Sequence, residues 1–354
     1  MTSPLPYFDG HNDFLLRLMT SSEPRETLWL GDSGSGHLDL NRMKQAGFKG
    51  GFFAMFVPPI QTGAPVDFMA LMQHPPYDLP LPPLMTHGQA QGTALTMAGL
   101  MQWMERSAPD DFALCRTPAQ IRAALDSDRI VGILHMEGAE AIGPNLDAVY
   151  LFHDMGLRSI GPVWSRPTIF GHGVPMRYPG DPDVGPGLSE KGKDLVRLCD
   201  ELGIMIDLSH LNAAGVDDVA RISTKPLVAT HSNVHAICAS ARNLTDRQLG
   251  QIRDSGGMVG LNFATFFLAE DGVSDVNMGF DPMLRHIDYL LEKLGEDHVG
   301  LGSDFDGAVI PAAVGDVTGV PSLLQAMSDH GYGPELVAKV ACDNWLALLD
   351  RTLA

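Results

Sequence analysis

The feature that most limits what this chain can fold into is a repeated pairing: a short apolar run, closed by a polar group. Eight such runs occupy residues 6–9, 50–57, 130–136, 159–164, 204–209, 227–230, 258–263 and 298–302. Most are near-continuously apolar, as parallel strands buried on both faces must be. Helical spacing fills several of the gaps. Residues 117–125 open with a Thr117 N-cap and Pro118 in the first turn, and 189–202, 217–222, 245–254 and 281–294 show the same period. Strand–helix alternation on this scale predicts an α/β fold, a (β/α)8 TIM barrel, more readily than a doubly wound sheet. The stretch 334–353 reads as an amphipathic helix packed on the barrel.

Two segments exceed a minimal barrel: long βα loops near 58–95, rich in Pro and Met, and near 165–188, rich in Pro and Gly. Such loops commonly form lids or substrate walls. No compositional boundary divides residues 1–354, so a single barrel domain is expected. The balance of 24 basic against 43 acidic residues, a net charge of −19, argues against a nucleic-acid partner. Cys115, Cys199, Cys238 and Cys342 form no C-x-x-C pair and read as reduced core residues of a cytoplasmic protein. No run approaches the ~20 apolar residues of a membrane span, and Met1–Tyr7 shows no export-signal pattern.

The polar groups carry the chemistry. Asp9-Gly10-His11-Asn12-Asp13, His135-Met136-Glu137-Gly138, Asp207-Leu208-Ser209-His210, Ala229-Thr230-His231-Ser232 and Gly302-Ser303-Asp304-Phe305-Asp306 each end an apolar run. Barrel enzymes keep their sites at the C-terminal ends of their strands. His11 and Asp13, two apart, point the same way from a strand and can grip one ion. Glu137 stands at a strand exit eased by Gly138, where a carboxylate can serve two cations, one per oxygen. His210 and His231 end successive strands and can close on a single ion; imidazole suits zinc, and the mixture with carboxylate also suits manganese or iron. His135 is a rival ligand, though such a histidine more often packs and hydrogen-bonds, and His235, four after His231, could pair with it if both lay on one helix, a lesser reading because residues 226–230 read as strand. Asp304 can orient a water and pass its proton to a leaving amine, whereas Asp306 reads as an Asx turn. Arg242 can clamp a substrate carboxylate or remain a loop charge.

Together these motifs resemble the renal (membrane) dipeptidase family of zinc metallopeptidases. Ser240-Ala241-Arg242-Asn243, Ala46-Gly47-Phe48-Lys49-Gly50-Gly51 and Gly187-Leu188-Ser189 extend the resemblance over most of the chain, in order. It implies a (β/α)8 barrel holding two zinc ions, with His11, Asp13, His210 and His231 as ligands and Glu137 between the ions. It further implies catalysis by Asp304, a carboxylate clamp at Arg242, and a homodimer. One departure stands out. Founding members carry a substrate-binding histidine at the end of the fourth strand, where this chain reads Pro162-Val163-Trp164-Ser165. Trp164 can donate one hydrogen bond, and His172 in the loop beyond is a candidate substitute.

The expected activity is hydrolysis of short free-carboxylate dipeptides, including those with a D-residue at the C-terminal position. Two divalent ions set against Asp13, Glu137 and a bridging hydroxide leave net positive charge, which favours an oxyanion over a neutral carbonyl. An amidase acting on N-acyl-D-amino acids could use the same centre, and a non-catalytic metal-binding scaffold is the alternative from another class. A phosphotriesterase or deaminase would more usually open with H-x-H. No G-x-S-x-G elbow supports a serine nucleophile.

Overall fold

A computed structural model of the chain describes residues 4–31, 33–59 and 67–353. All eight expected strands are present and parallel: β1 (Tyr7–Asn12), β2 (Phe48–Phe56), β3 (Ile130–Glu137), β4 (Leu157–Ile160), β5 (Met205–Ile206), β6 (Val228–Ala229), β7 (Met258–Asn262) and β8 (Val299–Gly302). They run in the order β5-β4-β3-β2-β1-β8-β7-β6, so sequence neighbours are spatial neighbours. A parallel bridge from Asp207 to Val228, with Leu208 N–H donating to Val228 O at 2.8 Å, draws β5 and β6 together and nearly closes the ring. Phe112–Leu114, not anticipated from the sequence, pairs with Ile130–Gly132 of β3, below the part of β3 that β4 reaches.

The fourth strand is placed earlier than the apolar run suggested, ending at Ile160 rather than 164. Pro162 has no N–H to give the ladder, so the chain leaves the sheet there and Trp164 belongs to the loop. The loop expected near 58–95 is also shorter. Residues 60–66 lie outside those described, but His87–Ser107 form a 21-residue helix. Its inward face, Ala90, Ala94, Met97, Met101 and Met104, is buried at helical spacing, and that packing outweighs Gly88, Gly92 and Gly99. The two long loops are stitched together by a short antiparallel pair, Tyr77–Asp78 with Arg177–Tyr178.

The C-terminal segment is helical as expected, though Lys339–Asp343 widens to a π turn between Pro334–Ala338 and Asn344–Thr352. Buried Trp345 donates its indole N–H to Leu301 O at 2.9 Å. A Cβ on Gly10 or Gly300 would lie 2.5 or 2.6 Å from this ring, so strand glycines make its room. Among the described residues no helix is long and apolar enough to cross a membrane.

Candidate metal centre

Four strand ends deliver His11, Asp13, Glu137, His210 and His231 to one buried place at the C-terminal rim. Glu137, the last residue of β3, sits at its centre. Its Oε1 lies 3.1 Å from His210 Nε2 and 3.5 Å from His231 Nε2, and its Oε2 lies 3.7 Å from His11 Nε2. Asp13 Oδ2 is 3.4 Å from the same His11 nitrogen. The His11 and His231 rings stack with centroids 3.8 Å apart. Gly138, at φ +81°, makes the tight strand exit expected after Glu137. His210 and Asp304 take left-handed conformations at φ +68° and +60°, unusual for non-glycine residues and held here by the surrounding contacts.

Hydrogen bonds settle how the imidazoles face. Thr230 Oγ1 donates to Asp207 Oδ2 at 2.6 Å, so toward His231 Nδ1, 2.8 Å away, it can only accept. The His231 proton is thereby on Nδ1 and its Nε2 lone pair points into the cluster. Ser165 Oγ stands 2.9 Å from His210 Nδ1 and orients that ring so that its Nε2 faces Glu137. Such partners orient metal-binding histidines and fix their tautomer. Asp207 also accepts from the N–H groups of Ser209 and Thr230, both at 2.9 Å. Burial alone would raise its carboxyl, but His135 and these donors bring it below the usual range.

Burial pushes His210 and His231 well below the usual histidine range, which keeps them neutral. Burial also acts to lower His11, but Glu137, Asp13 and Asp304 outweigh it and lift its imidazole to about 10. Glu137 is raised well above an ordinary carboxyl by burial and by Asp13 and Asp304. Three acids gathered in so little space call for compensating cations. His11 Nδ1 and Nε2 and Asp13 Oδ1 are buried without a hydrogen-bond partner, as atoms awaiting a ligand would be. The neutral His210 and His231, the carboxylates, and His11, whose raised imidazole shows how strongly the acids around it draw a positive charge, therefore fit divalent metal ions.

The other candidates divide. Asp304 joins the cluster: Asn262 Nδ2 donates to its Oδ2 at 2.9 Å, and an oxygen of Asp304 forms a possible ligand group with His11 and His231. Arg242 is buried close by, donating from Nη1 to Ser232 Oγ at 2.7 Å and from Nη2 to His231 O at 2.8 Å, with Nε unpartnered. Trp164 stands over His210, ring centroids 5.6 Å apart, and lines the cavity above the cluster. His172 is not brought there. It is exposed, beside Gly185, and its carbonyl accepts from Asn212 N–H at 3.1 Å. His135 bonds Ser159 Oγ at 2.9 Å and lies behind the cluster, its Nε2 3.5 Å from Asp207. His235 bonds Gly180 O at 2.7 Å. Asp306 forms a loop anchor, accepting from His37 N–H at 2.7 Å and from Arg17.

Ser165, Thr230, Asp207 and Asn262 went unassigned in the sequence. Three of them lie inside or beside the motifs, but their roles depend on which strands are neighbours. Gly307 was missed as well. A Cβ there would lie 2.1 Å from Asp13 Oδ2 and 2.7 Å from Asp304 Oδ1. Gly307→Ala is expected to leave the fold intact, since its backbone is not left-handed, while displacing both carboxylates. A misplacement on the order of 1 Å can cost about 10²-fold in rate. Metal analysis, circular dichroism and kcat would check this; wild-type turnover in the variant would show the carboxylates are not held against Gly307.

A nearly closed α/β barrel with a histidine–carboxylate cluster on its C-terminal rim defines the class: a barrel metallohydrolase. The model of the membrane dipeptidase family (peptidase family M19) matches residues 1–352. A crystal structure of a dipeptidase of the same family is 59% identical, covering 99% of both chains at a TM-score of 0.96. A metallopeptidase from Rhodobacter sphaeroides, solved with a phosphinate mimic of the dipeptide L-Ala-D-Ala, is 60% identical over 99% of both chains, also at 0.96. An uncharacterised protein of Klebsiella pneumoniae is 44% identical over 255 residues, 72% of this chain and 94% of its own length. The chain belongs to the membrane dipeptidase family and is a metallopeptidase.

Proposed function

We propose that this protein hydrolyses dipeptides bearing a free C-terminal carboxylate, including L,D-dipeptides, with two divalent metal ions, zinc foremost. The observation that carries the reading is Glu137, one oxygen facing His210 and His231, the other facing His11. Four further donors around one central carboxylate fit two ions better than one. The Rhodobacter relative's L-Ala-D-Ala mimic supports both the substrate length and the D-configured C-terminal residue. Divalent ions held there would supply positive charge to polarise the scissile carbonyl and lower the pKa of water.

The remaining work falls to side chains of the chain itself. Burial, with Asp13 nearby, raises the Asp304 carboxyl above its usual range, which suits a group that must both take and release a proton. Asn262 occupies Oδ2, leaving Oδ1 to receive the proton of the attacking water and pass it to the amide nitrogen. The C–N bond breaks, hydroxyl remains on the acyl carbon, and the amine leaves protonated by Asp304. Arg242 would hold the substrate carboxylate; burial pulls its guanidinium down to about 10, which leaves it charged at neutral pH. Phe267, under its guanidinium at 5.7 Å, lines the cavity and keeps that end dry. The buried, unpaired cysteines fit a reducing cytoplasm, and a homodimer accords with the family resemblance.

Hydrolysis assays on L,L- and L,D-dipeptides with metal analysis of the same sample test the reading; inactivity of the metal-loaded protein on all of them would overturn it. Arg242→Ala is expected to raise KM for free-carboxylate dipeptides by roughly 10–100-fold, the worth of one charge-assisted pair at about 1.5–3 kcal/mol. Carboxyl-amidated analogues should be hydrolysed equally by both proteins. An equal loss on the amides would make Arg242 structural.

A further inference from the structure

The cavity over the metal centre is the inner part of a larger space. The inner pocket, about 110 Å³, is lined by Asp13, Glu137, His210, Asp304 and Phe267 among others. Trp164, Met176, Phe266, Gly307 and Ala308 line it too, and the same five residues line a second cavity of about 610 Å³. They form the throat between the two.

The outer chamber differs in chemistry from the inner pocket. Beyond the throat its wall includes Phe68, Met72, Leu79, Leu81 and Val309. Its carboxylates are already employed. Asp306 is held by His37 and Arg17, and the exposed Asp67 caps the helix Phe68–Met72 through Ala70 N–H at 3.0 Å. His37 Nδ1 accepts from Asp306 N–H at 2.8 Å. Among the described residues the chamber thus presents mainly hydrocarbon and aromatic surface.

The direction of the substrate follows from the proposed function, on which this inference rests. Arg242 packs over Phe267, which lines the inner pocket but not the chamber, so a carboxylate held by Arg242 lies at the Phe267 end of the site and leaves the acyl side to face the throat. We propose that the outer chamber is an acyl-side subsite, and that the preferred substrates carry a large apolar group on the carbonyl side of the scissile amide. A bulky apolar N-terminal residue and an aliphatic N-acyl group share this chemistry. Each methylene buried is worth roughly three- to fourfold in binding.

The test compares kcat/KM of the metal-loaded enzyme for L-Ala-D-Ala, L-Leu-D-Ala, L-Phe-D-Ala and N-hexanoyl-D-Ala. A gain of about tenfold or more over L-Ala-D-Ala is expected in the dipeptide arm, the acyl arm or both. The arm that shows it identifies the natural source of the apolar group. Leu81→Asp and Phe68→Asp place a charge on the chamber wall at partly exposed positions, 41% and 38% accessible, where folding tolerates it. Both should abolish the gain and leave L-Ala-D-Ala hydrolysis unchanged. Absence of any gain, or a gain untouched by both variants, overturns the subsite. Failure to hydrolyse any of the four substrates would instead overturn the proposed function itself.

Discussion

His210→Ala is expected to lose one metal ion per chain and nearly all turnover while remaining folded. His210 Nε2 is 3.1 Å from Glu137 Oε1, and its other nitrogen is engaged with Ser165, so the ring is oriented to offer Nε2 in one direction. Its burial already keeps it neutral, so removing it discards no ion pair that folding depends on. Histidine is among the residues enriched in left-handed backbone, so alanine at φ +68° adds a small local strain that the surrounding fold must absorb. Loss of one preorganised electrostatic group at a reacting centre typically costs about 10²–10³-fold in kcat, and loss of an ion should reach at least that. Ser165→Ala, which leaves the ligand but not its orientation, should weaken metal binding by a smaller factor of roughly 10–100. Metal content, kcat and circular dichroism on both variants check the gradient. Full activity with unchanged metal content in His210→Ala would refute the assignment.

Arg166→Leu is expected to destabilise the protein by roughly 3–5 kcal/mol, the cost of leaving one partner of a buried ion pair alone. Arg166 is fully buried and reaches Glu140 Oε1 from Nε at 2.8 Å and from Nη2 at 2.6 Å, while Nη2 also donates to Val57 O at 3.0 Å. It therefore ties the loop after β4 to the residues after β3 and β2. Burial raises the Glu140 carboxyl even with Arg166 beside it, which means the pair stands against a desolvation penalty. The double variant Glu140→Leu/Arg166→Leu should recover much of the stability, since a buried pair is often matched by apolar residues of similar volume. It should not recover full turnover. Trp164 and Ser165 immediately precede Arg166, and their approach to His210 relies on that loop being pinned. Denaturant titration and metal retention separate the two effects; a single-variant loss under about 1 kcal/mol would rule out the pinning role.

The fold was largely legible because each barrel strand is its own short apolar sentence, read without reference to the others. All eight were found that way, and the order of polar groups at their ends brought His11, Asp13, Glu137, His210, His231 and Asp304 to one rim. What escaped was set by contacts between segments far apart. The helix His87–Ser107 hid behind a Pro- and Met-rich stretch and its own glycines, because only packing of Ala90, Met97 and Met104 reveals its face. Trp164 looked like a strand end until Pro162 ended the ladder before it. His172 seemed near enough in sequence to reach the site, yet the loop turns it outward beside Gly185.

The strand-and-ligand pattern, the family resemblance it carries and the candidate metal ligands were thus determined by the sequence alone, since strand period and residue chemistry are local properties. Tertiary structure alone decided the His231 tautomer set by Thr230, the His210 orientation set by Ser165, the buried Arg166–Glu140 tie, the contact of Gly307 with two carboxylates, and the apolar chamber beyond Trp164. Each of these depends on the distance between side chains from different strands or loops, a quantity that no spacing along the chain encodes.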